Sequence, residues 1–132
     1  MGDAQVTWSS NQALLNFDTQ AFYETFLDDM RDDQLWGCES TPGKSKCKDP
    51  VGSKGSLPVV VPYDGIGPWQ GACLVWQVAY IVIARNYYSH YGDTAMLDRH
   101  YAGCQDLMAY FKRNEEAGLV EQLRRLVCNH SY

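Results

Sequence analysis

The chain has 132 residues, a formal net charge of −5 and 45% hydrophobic residues, which is enough for one domain with a buried core. The acidic balance argues against a nucleic-acid partner, because phosphate backbones are bound by concentrated positive charge. The N-terminus lacks the basic start and apolar core of a signal peptide, and the apolar run CLVWQVAYIVIA is too short to cross a bilayer. We therefore expect one globular domain without nucleic-acid or membrane partners, and the sequence leaves its compartment and oligomeric state open.

Two helices are predicted at the beginning of the chain. Loosely helical spacing of apolar residues indicates a first helix from about Ala4 to Phe17. Asp18 is placed to cap a second helix over about 19–34. The apolar side chains of this second helix recur every three or four residues, and they are Phe22, Tyr23, Phe26, Leu27 and Met30. Its acidic side chains are interpreted as a solvated face, namely Asp28, Asp29, Asp32 and Asp33.

The helical pattern stops over residues 35–69. Glycine and proline recur through GCESTPGKSKCKDPVGSKGS, which predicts a long loop or insertion. The segment LPVVVP, between Pro58 and Pro62, predicts a short extended piece because valine favours extended backbone. Cys38 and Cys47 flank the glycine-rich stretch, and the sequence does not decide whether they form a disulfide.

A second helical hairpin is predicted after this loop. A third helix over about 71–91 is apolar nearly all round between Cys73 and Ala84, so it needs partners on more than one side. In YGDTAM, Gly92 is suited to the left-handed position that ends a helix, and Asp93 is suited to cap the next helix. The fourth helix runs to about Asn114, and its predicted apolar face consists of Leu97, Tyr101, Cys104, Leu107, Met108 and Phe111. The tail after Gly118 has a weaker helical pattern.

Two histidines and two cysteines raise the question of a metal site. His100 and Cys104 lie one helical turn apart, and Cys128 and His130 add two soft ligands near the end of the chain. Their spacing matches no recognised zinc motif, and a cysteine in an apolar helix is by default a small buried hydrophobe. We therefore expect neither a metal nor a cofactor.

The order of these features resembles the catalytic barrel of the inverting α-L-rhamnosidases, glycoside hydrolases with an (α/α)₆ or six-hairpin barrel. The resemblance covers about residues 2–120, and its parts are GDAQ, NFD, FYETFLDDMRDDQ, LPVVVP, a tryptophan before a buried helix, and YYSHYGDTAMLDRHY across the hairpin. It implies an all-α fold whose helical hairpins form part of a barrel. Residues 1–132 are then expected to be a partial catalytic domain, with a loop insertion at about 35–69 and a divergent tail at 119–132.

The resemblance also implies a reaction, the hydrolysis of terminal α-L-rhamnose from a rhamnosyl glycoside with inversion. Inversion needs a carboxylic acid that protonates the leaving oxygen and, about 6.5–9.5 Å away, a carboxylate that activates water on the opposite face. In the resembled family the general acid is a Glu a few residues before the Gly-Asp-Ala motif, and the general base comes much later in the barrel. We therefore assign no catalytic residue to this chain and expect a truncated, inactive fragment. The alternative is a non-catalytic helical module that binds carbohydrate or another protein.

Three residues are candidates for substrate binding. The resemblance implies that Asp3 hydrogen-bonds sugar hydroxyls and that Trp69 lines the sugar pocket, while Asp64 lies in the same loop as Trp69. Each residue also has a structural interpretation, because Asp3 suits the first turn of a helix, Trp69 suits core packing, and Asp64 suits a turn with the following glycine. Gln70 follows Trp69 where family members often carry a small or acidic residue, which is a departure from the family pattern.

Overall fold

The computed structural model describes residues 1–10, 17–36, 54–58, 60–63, 74–116 and 119–120. Its helices are α1 (Gly2–Ser9), α2 (Gln20–Trp36), α3 (Leu74–Gln77), α4 (Ala79–Tyr91) and α5 (Thr94–Arg113). Two short strands, β1 (Glu115–Glu116) and β2 (Leu119–Val120), pair antiparallel after α5. The predicted all-α class and its helical hairpins are therefore confirmed. Within the described ranges, each helix is too short or too polar to span a bilayer.

The predicted helix caps are present. The Asp18 carboxylate accepts a hydrogen bond from the backbone N–H of Gln20 at 3.1 Å, at the beginning of α2. Gly92 has φ 71° and ψ 11°, the left-handed conformation that ends α4. The Asp93 carboxylate accepts from the N–H groups of Ala95 and Met96, at 2.9 and 3.2 Å. These capping residues therefore define the beginning of α2, the end of α4 and the beginning of α5.

Helix α4 is the centre of the described fold, since it packs against α1, α2 and α5. This confirms the expectation that the third apolar segment needs partners on several sides. The segment is interrupted, because Val78 forms a turn between α3 and α4. The side chains that are fully buried in α2, α4 and α5 include Tyr23, Leu27, Met30, Tyr80, Ile83, Tyr87 and Leu107.

Contacts between side chains give the helix directions. Gln20, in the first turn of α2, donates from Nε2 to the Tyr87 hydroxyl at 3.0 Å, in the last part of α4. Near the other end of α2, Gln34 Nε2 donates at 3.0 Å to the Gly103 carbonyl, and Gly103 also lies against Tyr80 in the first turn of α4. Helices α2 and α4 are therefore antiparallel, and the C-terminal end of α2 lies beside the beginning of α4.

The buried face of α5 differs from the predicted one. The buried residues are Met96, His100, Gly103, Leu107, Tyr110 and Phe111, whereas Tyr101 and Met108 are 64% and 55% exposed. Most of the buried residues lie one position before a residue of the predicted apolar face. An apolar criterion misses part of the buried face because two of its members are a polar histidine and a glycine. His100 is hydrogen-bonded in the core, and Gly103 leaves room for the Tyr80 ring.

Part of the predicted loop belongs to the core. Gly55, Ser56, Leu57 and Pro58 are buried. Gln34 Nε2 donates to the Gly55 carbonyl at 2.8 Å, and the Leu57 N–H donates to Gln77 Oε1 at 2.9 Å. Gly55 has φ 86°, and a Cβ there would lie 2.4 Å from the Asp106 carbonyl oxygen of α5, so only glycine fits.

Two other sequence expectations need correction. In LPVVVP, Pro58 makes a single-residue bridge and residues 60–62 bend, so the described part of this segment is not a continuous strand. Leu119 and Val120 form β2 rather than a helix, because their backbone pairs with β1. The rest of the tail, residues 121–132, lies outside the described residues.

Candidate functional site

Asp3 lies in the first turn of α1, and its side chain is exposed. It does not cap the helix, because Met1 occupies the N-cap position without a side-chain cap. Burial lowers the pKa of the Met1 amine, and the nearby Asp3 carboxylate opposes this effect. An exposed carboxylate at this position is free to accept hydrogen bonds from the hydroxyl groups of a ligand.

The backbone that carries Asp3 is held by close packing. Gly2 is buried, and a Cβ at this position would lie 2.9 Å from the indole ring of Trp76 in α3. Gln5 Nε2 donates to the Val75 carbonyl at 3.2 Å, and the Tyr23 hydroxyl donates to the Ala4 carbonyl at 3.3 Å. The beginning of α1 is thus fixed against α3 and α2. The glycine of Gly-Asp-Ala is needed because a larger residue would collide with the indole ring.

The other two predicted substrate contacts, Asp64 and Trp69, lie outside the described residues. So do the potential disulfide partners Cys38 and Cys47 and the remaining candidates for soft ligands, Cys128 and His130. Of the three predicted site residues, Asp3 alone falls in the part of the chain that the structure describes.

Sequence reasoning missed Asp33. This residue was assigned to a solvated acidic face, but it is half-buried near the end of α2, and its Oδ2 accepts from the Tyr63 N–H at 2.8 Å. Burial raises the pKa of Asp33 to about 6; the Tyr63 N–H opposes the shift, while Asp29 and Asp32 add to it. A carboxyl group with this pKa is partly protonated in weakly acidic solution. The signal in the sequence is its position beside the buried stripe that contains Met30 and Gln34.

Asp28 is also not simply solvated. Its carboxylate lies 3.2 Å from the Arg99 guanidinium and 3.2 Å from His100 Nε2, both on α5. The solvated-face interpretation is therefore wrong for Asp33, whereas Asp28 is paired and its side chain is still 47% exposed. That interpretation remains suitable for Asp32, which is exposed.

Asp33 lies near the C-terminal end of α2, whereas Asp3 lies in the first turn of α1. The C-terminal end of α2 lies beside the beginning of α4, and α1 begins against Trp76 of α3, but the Ala4 carbonyl of α1 accepts from Tyr23 in the first part of α2. The Asp33–Tyr63 hydrogen bond fixes the chain one residue before Asp64. Asp3 therefore remains the candidate site residue, and Asp33 is a half-buried carboxylate on a different helix.

We expect Asp33→Asn to remove an unfavourable pH dependence. Because the folded-state pKa is raised, ionisation of Asp33 costs stability as the pH rises from about 4 to 6. The asparagine oxygen still accepts a hydrogen bond from the Tyr63 N–H. The variant should therefore be more stable than the unaltered chain above pH 6, by about 1 kcal/mol. This gain is smaller than the full pKa shift implies, because solvent screens a half-buried carboxylate. Urea unfolding at pH 4 to 8 measures this difference. Asp98→Asn, an exposed change on α5, is the control, and a loss of stability in Asp33→Asn at pH 7 would contradict the prediction.

The candidate metal ligands His100 and Cys104 do not form a metal centre with other residues in the described ranges, where no group of three or more potential ligands lies together. His100 Nδ1 is hydrogen-bonded to the Tyr80 hydroxyl at 2.9 Å. Cys104 is a half-buried free thiol whose pKa is raised by burial. Both side chains therefore take part in the packing between helices.

Comparison with family models defines the class of this domain. Residues 1–127 match the bacterial alpha-L-rhamnosidase 6-hairpin glycosidase domain. The match spans nearly all of the chain, which therefore belongs to this family of helical-hairpin glycosidase domains. Comparisons with curated proteins and with solved structures gave no match.

Proposed function

We propose that this chain contributes helical framework and a sugar contact to a glycoside hydrolase of α-L-rhamnosidase type. The substrate is a rhamnosyl glycoside, from which terminal α-L-rhamnose is released with inversion. The family match over residues 1–127 is the observation that supports this proposal most directly. The exposed Asp3 carboxylate, on a helix end held against Trp76, agrees with a role in binding sugar hydroxyls.

The proposed role of Asp3 is binding rather than proton transfer. An ionised carboxylate accepts short, strong hydrogen bonds from hydroxyl groups, and neighbouring sugar hydroxyls suit its two oxygens. The family resemblance assigns the general acid and the general base to glutamates that do not map onto these 132 residues. The chain by itself should therefore bind rhamnose without cleaving a rhamnoside.

Two measurements on the full chain test this function. We expect no release of phenol from an aryl α-L-rhamnoside above a heat-treated control, and turnover would overturn the proposed division of roles. We expect L-rhamnose to bind in an NMR titration, with a Kd at least tenfold weaker in Asp3→Asn, since a hydrogen bond to a charged group contributes about 1.5–3 kcal/mol. Asp98→Asn is the matched control. Equal binding by Asp3→Asn and the unaltered chain would exclude Asp3 as the sugar contact.

A non-catalytic helical module is the second candidate. The core of fully buried side chains from α2, α4 and α5 favours it, because such a core suits independent folding. Large exposed apolar side chains, such as Val6 at 68% and Phe17 at 57%, favour a part of a larger barrel instead. Calorimetry separates the two. A sharp two-state transition favours the module, and a broad transition or aggregation favours the barrel part.

A further inference from the structure

His100 joins three helices inside the core. Its ring, on α5, is 1% exposed. Nδ1 lies 2.9 Å from the Tyr80 hydroxyl of α4, and Nε2 lies 3.2 Å from Asp28 Oδ1 of α2. Nε2 lies close to the Asp28 carboxylate without being aligned for a hydrogen bond, so the contact becomes an ion pair only when the ring is protonated. A single imidazole therefore lies between α4, α2 and its own helix.

The Tyr80 contact fits a neutral ring. Burial raises the pKa of the Tyr80 hydroxyl, so this group keeps its proton and is a donor. When the proton of the neutral imidazole is on Nε2, the hydroxyl donates to Nδ1. In the doubly protonated ring both nitrogens are donors, so the hydroxyl has to turn and accept instead. Protonation therefore replaces an established hydrogen bond inside the core.

The charges around His100 do not compensate for burying a cation. Burial lowers the pKa of His100 most strongly; the Asp28 carboxylate opposes this effect, and Arg99 and Arg31 reinforce it. Asp28 already interacts with Arg99, so its negative charge is shared. Arg31 is paired with Asp106 at 2.8 Å. The remaining titratable neighbour, Cys104, lies close to Tyr80 and is uncharged at neutral pH because burial raises its pKa.

We propose that His100 is an acid-sensitive contact that holds α5 against α2 and α4 while its ring is neutral, and that protonation of the ring weakens this packing. This inference is independent of the proposed sugar-binding role.

The direction of the pH effect follows from the lowered folded-state pKa. Unfolded chains bind a proton to histidine below about pH 6.5, whereas the folded chain resists protonation. The contribution of His100 to stability is therefore complete above pH 6.5 and is lost as the pH falls toward the folded-state pKa. One linked proton changes the unfolding equilibrium constant by up to about tenfold per pH unit.

Urea unfolding of the full chain at pH 5 to 8, followed by circular dichroism, tests the stability effect. His100→Gln should remove an acid-induced loss of up to about tenfold per pH unit in the folding equilibrium constant. His90→Gln is the matched control, because His90 is exposed on α4. The inference is wrong if the pH dependence of His100→Gln equals that of the unaltered chain.

A second measurement does not depend on the folding of His100→Gln. In an NMR titration of the histidine ring protons, His100 should titrate below pH 6.5. Asp28→Asn should lower the pKa of His100 further, and Arg99→Gln should raise it, since these groups act on the ring in opposite directions. Titration of His100 at or above pH 6.5, or no shift in both variants, would overturn the inference.

Discussion

Leu27→Ala is expected to lower the free energy of unfolding by about 2–5 kcal/mol. Leu27 is fully buried in α2, within the core that this helix forms with α4 and α5. Removing three carbon atoms loses their transfer free energy and leaves a cavity that the surrounding helices fill only in part. Urea unfolding at pH 7 measures the loss.

Leu35→Ala is the matched control for this change. Leu35 belongs to the same helix and is 54% exposed, so its truncation should change the free energy of unfolding by about 0.5 kcal/mol or less. Equal losses in the two variants would mean that α2 does not bury the face described above. A loss confined to Leu27→Ala would support the helix orientation.

Gly103→Ala is expected to destabilise the protein by about 2 kcal/mol, although alanine is the better helix former. An added Cβ would lie 2.4 Å from the Tyr80 hydroxyl and 2.8 Å from Cε1 of the same ring. Tyr80 is fully buried and bonded to His100, so the ring cannot move aside without repacking the core. Overpacking of this kind costs about 1–3 kcal/mol and exceeds the gain in helix propensity.

A double-mutant cycle with Tyr80→Phe tests the cause of this loss. The phenylalanine ring lacks the hydroxyl that lies closest to the added Cβ, so Gly103→Ala should cost less in that background. The same cost in both backgrounds would assign the loss to a different contact. Unfolding free energies of the four proteins give the coupling energy directly.

Several helix ends follow from the sequence, whereas the first helix, expected to run from Ala4 to Phe17, has the bounds Gly2–Ser9, and Phe17 is not helical. Asp18, Gly92 and Asp93 are recognisable because caps depend on neighbouring residues and on one backbone conformation. The surrounded position of α4 is also predictable, since a helix that is apolar on all sides has to be covered. The family assignment rests on the order of such local features, and the match over residues 1–127 agrees with it.

The contacts between distant segments do not follow from the sequence. On α5 an apolar criterion correctly predicted Leu107 and Phe111 but missed Gly103 and His100, because it gives no weight to a glycine that admits a ring or to a histidine bonded in the core. The role of Gly55 depends on the Asp106 carbonyl, 51 positions further along the chain. The raised pKa of Asp33 likewise depends on its burial in the fold, which outweighs the opposing hydrogen bond from the Tyr63 N–H. Hydrophobic periodicity carries no information about such pairings.

The Gln34–Gly55 hydrogen bond has a consequence for protein engineering. It joins two residues that are 21 positions apart in the sequence, so the core fixes the distance between these two positions. Because the entropy of closing a chain grows only with the logarithm of its length, doubling the number of residues between these positions costs about 0.6 kcal/mol. Lengthening the chain between these two positions is therefore expected to cost less stability than truncating a core side chain such as Leu27.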